Sequence, residues 1–144
     1  MAEQKITTFL WFDTHAEEAA KFYVSIFGGD SRVISANPMS ATFELAGQRY
    51  MALNGGPRFK FTEAVSLFVS CEDQAEVDRF WDALIAGGGS PSQCGWLKDK
   101  YGLSWQIIPT TLMRLMPDPK VMKAMMGMQK IIVADLERAH AGTS

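Results

Sequence analysis

The sequence predicts an α+β protein built from two related modules and a C-terminal helical segment. Runs rich in β-branched and aromatic residues alternate with two amphipathic helical patterns, and these helical patterns repeat at a fixed spacing. After Pro109 only helical periodicity continues. We therefore expect the 144 residues to form one domain, with modules at about 1–58 and 59–109 and a helical segment at 110–144.

The first module opens with a predicted strand at 5–12, which is rich in β-branched and aromatic residues. Thr14 and Glu17 have the spacing of a capping box, so we expect a helix to begin there. Its apolar positions gather on one face, and Gly28-Gly29 should end it. Three short strand-like runs follow at 32–36, 41–45 and 48–53, separated by turn signals, and they predict an antiparallel meander.

The second module repeats this order. A strand is predicted at 65–69, Asp73 and Glu76 repeat the cap, and a second helical face ends at three glycines, 87–89. The two helices match at an offset of 58 residues, and the pairs that obey it are Ala19/Val77, Phe22/Phe80, Tyr23/Trp81, Ile26/Leu84 and Gly29/Gly87. Because faces and terminators share one offset, we interpret the chain as an internal duplication.

A hairpin is predicted near the end of this module. Apolar runs at 94–97 and 103–108 flank a polar turn that contains Gly102. Strand alternation puts Trp105 and Ile107 on one face, and Ser104, Gln106 and Ile108 on the other. Gln106 is then either hydrogen-bonded within the core or exposed to a ligand in a cavity, and the sequence leaves both readings open.

The C-terminal segment is predicted to be helical. Asp118-Pro119 marks a helix start, and four methionines lie within 122–128 on a stripe that continues to Ala139. Methionine fills irregular gaps, so we expect this stripe to pack against the sheet or a partner subunit. The last residues, 140–144, should fray.

Composition narrows the classes of function. The net charge of −2 and the lack of a basic cluster argue against nucleic-acid binding. No apolar run is long enough to cross a bilayer, and no leader peptide is recognisable. Cys71 and Cys94 lie in strand-like contexts and are expected to be free thiols. We therefore expect a cytoplasmic protein without a membrane partner.

Four stretches carry a family resemblance: 9–13 (FLWFD), 19–28 (AAKFYVSIFG), 52–56 (ALNGG) and 94–106 (CGWLKDKYGLSWQ). They resemble the PhnB-like branch of the glyoxalase, or vicinal-oxygen-chelate, superfamily, which carries the label 3-demethylubiquinone-9 3-methyltransferase domain. The resemblance implies a glyoxalase-like domain of paired βαβββ modules, with sheets curled around a cavity, and commonly a homodimer. Only two clear strands follow the second helix, so an abbreviated second module is an open alternative.

The resemblance also implies where a divalent metal would be held, by His, Glu or Gln side chains on the concave sheets. Counting back from the first helix gives Thr8, and the offset gives Ser66; the later positions fall at Met51 or Ala52 and at Gln106. One neutral ligand cannot hold an ion, and neither His15 nor His140 has a partner at metal-ligand spacing. We therefore predict no metal and no cofactor.

The sequence favours a metal-independent protein that binds a small organic ligand in an aromatic-walled cavity between the modules. The residues expected to line it are Trp11, Asn54, Phe59, Phe61, Trp96, Trp105 and Gln106. Neutral amides among aromatic rings favour a flat ligand that is uncharged or weakly polar. One alternative is an enzyme of glyoxalase-like or methyltransferase-labelled type with an unknown substrate. Another is a structural homodimer whose core is filled by Trp11, Trp96 and Trp105 packed together.

Overall fold

A computed structural model describes residues 4–142, which fall into two units that follow one another in the chain, the first ending at Phe61 and the second beginning at Thr62. The first unit contains β1 (Thr8–Phe12), α1 (Ala16–Phe27), β2 (Arg32–Ala36), β3 (Ser40–Leu45) and β4 (Gln48–Asn54). Its sheet has the order β1-β4-β3-β2. β1 is parallel to β4, while β2, β3 and β4 form the predicted antiparallel meander.

The second unit has the same topology. It contains β5 (Ser66–Cys71), α2 (Gln74–Ile85), β6 (Ser90–Pro91), β7 (Trp96–Lys98), β8 (Ser104–Pro109), α3 (Thr110–Leu115), α4 (Pro119–Met126) and α5 (Val133–Ala141). The sheet order β5-β8-β7-β6 reproduces that of the first unit strand for strand. Three strands therefore follow α2. The second module is complete, and the sequence pattern missed β6 because its two residues are too few to show alternation.

The internal duplication extends to the element boundaries, with one shift in register. Both helices have 12 residues and begin 58 residues apart, at Ala16 and Gln74. The strands before them end 59 residues apart, at Phe12 and Cys71, because the first strand–helix connection is one residue longer. Thr8 therefore corresponds to Leu67, and the pairing of Thr8 with Ser66 predicted from the helix offset is wrong.

The two helix starts are stabilised in different ways. At α2 the capping box is confirmed, since Glu76 N donates to Asp73 Oδ1 (2.9 Å) and Glu72 N donates to Glu76 Oε1 (3.2 Å). At α1 the predicted Thr14/Glu17 box is wrong, because the N-cap position is His15 and its side chain makes no capping hydrogen bond. Instead, Ala16 N donates to Asn54 Oδ1 (2.8 Å) from the end of β4. A side chain from a strand thus accepts the hydrogen bond of a backbone amide at the helix start, in place of a capping residue next to the helix.

Each unit has its own core between its helix and one face of its sheet. In the first unit the ring of Tyr23 on α1 lies 6.2 Å from that of Phe43 on β3, and both side chains are fully buried. In the second unit Trp105, Ile107 and Leu97 are buried on the sheet. The buried side of α2 consists of Val77, Phe80, Trp81 and Leu84, as its periodicity predicted.

The C-terminal helices form a second apolar cluster within the second unit. Its buried members are Ile108, Leu112, Val121, Ile131 and Leu136, with Leu115, Met116, Met125 and Met128 packed against them. The start at Asp118 is confirmed, since its side chain accepts from Lys120 N. The stripe to Ala139 is not continuous, because α4 ends at Met126 with Gly127 as its C-cap and α5 is a separate helix.

The fraying expected from His140 onwards is wrong for the described part of the tail. α5 continues to Ala141, and His140 Nδ1 lies 2.7 Å from Asp118 Oδ2. Residues 143–144, for which fraying was also expected, lie outside the described residues. Met125 and Met128 pack as expected. Met122 and Met126 are exposed, and their packing against a partner subunit stays a prediction.

Candidate functional site

The turn between β7 and β8 is organised by one buried carboxylate. Asp99 is 2% exposed, and its Oδ1 accepts from Tyr101 N (2.8 Å) and from Leu103 N (3.1 Å). Its Oδ2 accepts from Trp105 Nε1 (2.9 Å). Charged acceptors make stronger hydrogen bonds than neutral ones, so this network fixes the register of the hairpin. Lys98 and Ser104, the residues that flank the turn, are thereby held opposite each other.

The predicted alternation along β8 is confirmed, and it gives the second sheet two different faces. Trp105 pairs with Leu97 on the face that packs against α2, and Gln106 pairs with Trp96 on the opposite face. Trp96 and Trp105 therefore lie on opposite sides of the sheet. The packing of these two rings against each other, which the filled-core alternative required, does not occur.

A cavity of about 220 Å³ opens on the face opposite α2. We call it the second-sheet pocket, and its lining consists of Glu63, Ser90, Pro91, Ser92, Trp96, Leu97, Lys98 and Ser104. Within residues 4–142, Ser104 Oγ is the one fully buried side-chain oxygen or nitrogen that has no hydrogen-bond partner. Burying a hydroxyl without a partner costs about 1–3 kcal/mol. A ligand in the pocket that forms a hydrogen bond with Ser104 Oγ would remove this cost.

An ion pair lies at the side of the pocket. Lys98 Nζ is 3.1 Å from Glu63 Oε1, and the two side chains are 41% and 66% exposed. The hydrogen bond from Lys98 lowers the pKa of Glu63, which is therefore ionised at neutral pH. The sequence did not predict either residue as part of the site, because Lys98 falls in the polar segment of the predicted hairpin turn and Glu63 is typical of a strand-edge or turn charge.

Gln106 lies on β8 two residues after Ser104, on the same face of the sheet. Its Nε2 donates to Ser66 Oγ (2.9 Å), and among the described residues nothing donates to its amide oxygen. The reading in which the amide is hydrogen-bonded is confirmed at Nε2. Contact with a ligand stays a prediction, and Gln106 is not among the residues that line the second-sheet pocket. The alternation rule had already placed Ser104 and Gln106 together, so the missed Ser104 was detectable from the sequence.

The other predicted site residues belong to the first unit. Trp11 Nε1 donates to Gly56 O (2.9 Å), and its ring meets that of Phe59 edge-on at 4.9 Å. Phe61 packs edge-on against Phe12 at 5.3 Å. Both ends of the Asn54 amide are hydrogen-bonded within this unit, because Oδ1 caps α1 and Nδ2 donates to Pro38 O (3.1 Å). The structure thus brings Trp11 and Phe59 together in one unit, and Trp96 and Gln106 together in the other.

Comparison with known proteins supports one family. The model of the family described as 3-demethylubiquinone-9 3-methyltransferase matches residues 4–108. A PhnB protein from Bacillus cereus, whose description carries the same methyltransferase label, is 38% identical, with a TM-score of 0.66 over 74% of this chain and 99% of that one. The chain belongs to this family and is PhnB-like. The resemblance drawn from the four sequence stretches is confirmed, as is the α+β fold.

More distant structures share the fold. Protein PA1353 from Pseudomonas aeruginosa is 21% identical, with a TM-score of 0.60 over 74% of this chain and 98% of that one. The fosfomycin resistance protein FosX from Listeria monocytogenes, in complex with Mn(II) and sulfate, is 16% identical. Its TM-score is 0.54, over 73% of this chain and 88% of that one. A search of curated proteins finds no match. The family match ends before α3, so the C-terminal helices lie outside the matched region.

The donor set on the sheets does not fit the divalent metal that the glyoxalase-like resemblance of the sequence implies. Thr8 lies on the helix-packed face of its sheet, in line with Leu10 and Phe12. On the opposite face, Met51 occupies the position equivalent to Gln106, since their β1 and β5 partners, Phe9 and Phe68, are related by the strand offset of 59. Ser66 and Gln106 are neutral and bonded to each other. No group of three His, Cys, Asp or Glu side chains within residues 4–142 could hold an ion.

The two cysteines are free, as predicted. Cys71 is fully buried on the side of the sheet that faces α2. Burial, together with the nearby carboxylate of Glu76, raises its pKa to about 12, so the thiol stays protonated and unreactive. None of the helices in the described part of the chain is long and apolar enough to cross a membrane.

Proposed function

We propose that the protein binds a small, flat organic molecule in the second-sheet pocket. The observation that carries this proposal is the buried and unpartnered hydroxyl of Ser104, which lines a cavity whose wall includes the indole of Trp96. Binding sites for small molecules combine apolar or aromatic walls with a few placed polar groups. A ligand that bonds to Ser104 Oγ removes the cost of leaving that atom unsatisfied.

A thermal-shift screen of planar metabolites, repeated by tryptophan fluorescence, tests the binding proposal. We expect hits on the wild type that weaken in Ser104→Ala and in Gln106→Leu, because each variant removes a polar atom from this face. Ser70→Ala is a matched control, since Ser70 is exposed on β5 outside the pocket lining. If no compound stabilises the wild type, the proposal fails. If Gln106→Leu leaves every binding constant unchanged, Gln106 has no part in the pocket.

We propose that binding requires no metal. The supporting observation is the donor set, in which Ser66 and Gln106 are neutral and Met51 takes the equivalent position in the first sheet. Elemental analysis of protein grown with added zinc, nickel, iron and manganese should find substoichiometric metal. A stoichiometric ion that is lost in Gln106→Leu would contradict this part of the proposal.

We also propose a cytoplasmic homodimer. Two free cysteines fit a reducing compartment. β5 and β6 are edge strands of the second sheet, and Met122 and Met126 on α4 are exposed; an interface between two copies would cover such features. Light scattering coupled to size-exclusion chromatography measures the mass directly. A stable monomer at micromolar concentration removes the dimer from the proposal.

A further inference from the structure

We infer that the ligand of the second-sheet pocket carries a carboxylate, bound by Lys98 and Ser104, and that this carboxylate replaces Glu63 as the partner of Lys98. The inference deepens the proposed binding function and rests on it. It also changes the expected chemistry of the ligand, because the sequence predicted an uncharged or weakly polar molecule from the two amides of Asn54 and Gln106. Asn54 is committed to capping α1, and the charge of Lys98 was not considered.

Two donors in the pocket are arranged for an oxyanion. Lys98 and Ser104 are directly paired across β7 and β8, so their side chains emerge side by side on the pocket face. An ammonium group has three donors, and the Ser104 hydroxyl has one that is unused. A carboxylate has two acceptor oxygens, which can take one bond from each residue. The polar groups thus match the negative charge and the two acceptor oxygens of a carboxylate.

Glu63 shows that Lys98 accepts a carboxylate partner at the side of the pocket, while Ser104 Oγ stays without a partner. Its Oε1 lies 3.1 Å from Lys98 Nζ, and it reaches there from the segment that precedes β5. The side chain is 66% exposed, and exposed ion pairs are weak, so a ligand can displace it at small cost. Exchange of one carboxylate for another keeps the ammonium paired. Trp96 and Pro91 then supply the apolar surface for a ring attached to the carboxylate.

Isothermal titration with benzoate and benzamide separates charge from shape. The two probes share a ring and differ in the group that would meet Lys98 and Ser104. We expect benzoate to bind more tightly than benzamide to the wild type. Glu63→Gln should tighten benzoate roughly two- to fivefold, the worth of an exposed ion pair, and leave benzamide unchanged. Lys98→Met should weaken benzoate about tenfold.

Lys100→Met is the matched control, because Lys100 is an exposed lysine in the same hairpin and does not line the pocket. It should leave both probes unchanged. Thermal melts check that the variants fold, as expected for substitutions in an exposed pair. If benzamide binds as tightly as benzoate and Glu63→Gln alters neither, the carboxylate inference falls and the pocket remains. If neither probe binds to any variant, the pocket and the inference fall together.

Discussion

Replacing Asp99 by alanine should destabilise the second unit more than any exposed substitution. The carboxylate accepts three hydrogen bonds, and each bond to a charged acceptor is worth about 1.5–3 kcal/mol. The two turn amides can regain water when the turn loosens. The Trp105 indole is 1% exposed and cannot. We therefore expect a loss of about 3 kcal/mol in the free energy of unfolding, with a fall in Tm of about 10 °C.

Urea unfolding followed by far-UV circular dichroism measures this loss without relying on tryptophan emission. Trp105→Phe keeps most of the buried ring but removes its donor, and it should cost about 1–2 kcal/mol. In a double-mutant cycle the two changes should couple, because both break the same bond. Asp82→Ala on the exposed side of α2 is the control and should change stability by less than about 0.5 kcal/mol. The reasoning is refuted if Asp99→Ala costs no more than this control.

Three further predictions concern packing, capping and pH. Asn54→Ala should cost about 1–2 kcal/mol in urea unfolding because α1 loses its cap, whereas Asn54→Asp, which keeps Oδ1, should cost less; equal losses would contradict the capping role. Gly55→Ala should destabilise by about 1–3 kcal/mol, since its Cβ would lie 2.3 Å from the Trp11 ring, whereas Gly127→Ala meets its nearest atom at 3.7 Å and should be tolerated in the same thermal melts. The hydrogen bond with His140 lowers the pKa of Asp118 below its ordinary 3.8, so the stabilisation is present above that pH and is lost as the pH falls through the lower folded value. Asp118→Asn, which can still cap α4, should be less stable than wild type at about pH 6, and the gap should close in acid; a gap independent of pH would refute the assignment.

Periodicity and turn chemistry predicted most of the fold because they are local properties. The two helices, the meander and the β7–β8 hairpin follow from spacing along the chain. The errors arise where distant residues intervene. Asn54 takes over the cap expected from Thr14, and one extra residue before α1 moves Thr8 out of register with Ser66. Neither effect is visible in a single stretch of sequence.

The candidate site was predicted less completely than the fold. Aromatic content drew attention to Trp96 and Trp105, but only the register shows that they occupy opposite faces. Alternation was enough to group Ser104 with Gln106. Ser104 matters because its hydroxyl is buried without a hydrogen-bond partner, and that property depends on tertiary structure. The ion pair of Lys98 with Glu63 joins residues 35 positions apart, so no local pattern reveals it.

The central claim is that a small molecule binds on the pocket face of the second sheet without a metal. The most direct test is a two-dimensional NMR titration of EDTA-treated, isotope-labelled protein with benzoate. The account predicts chemical-shift changes at the Trp96 indole and at the amides of Lys98 and Ser104, with the buried Trp105 indole unmoved. Absence of changes at these sites, or changes that arise only after a divalent metal is added, would contradict it.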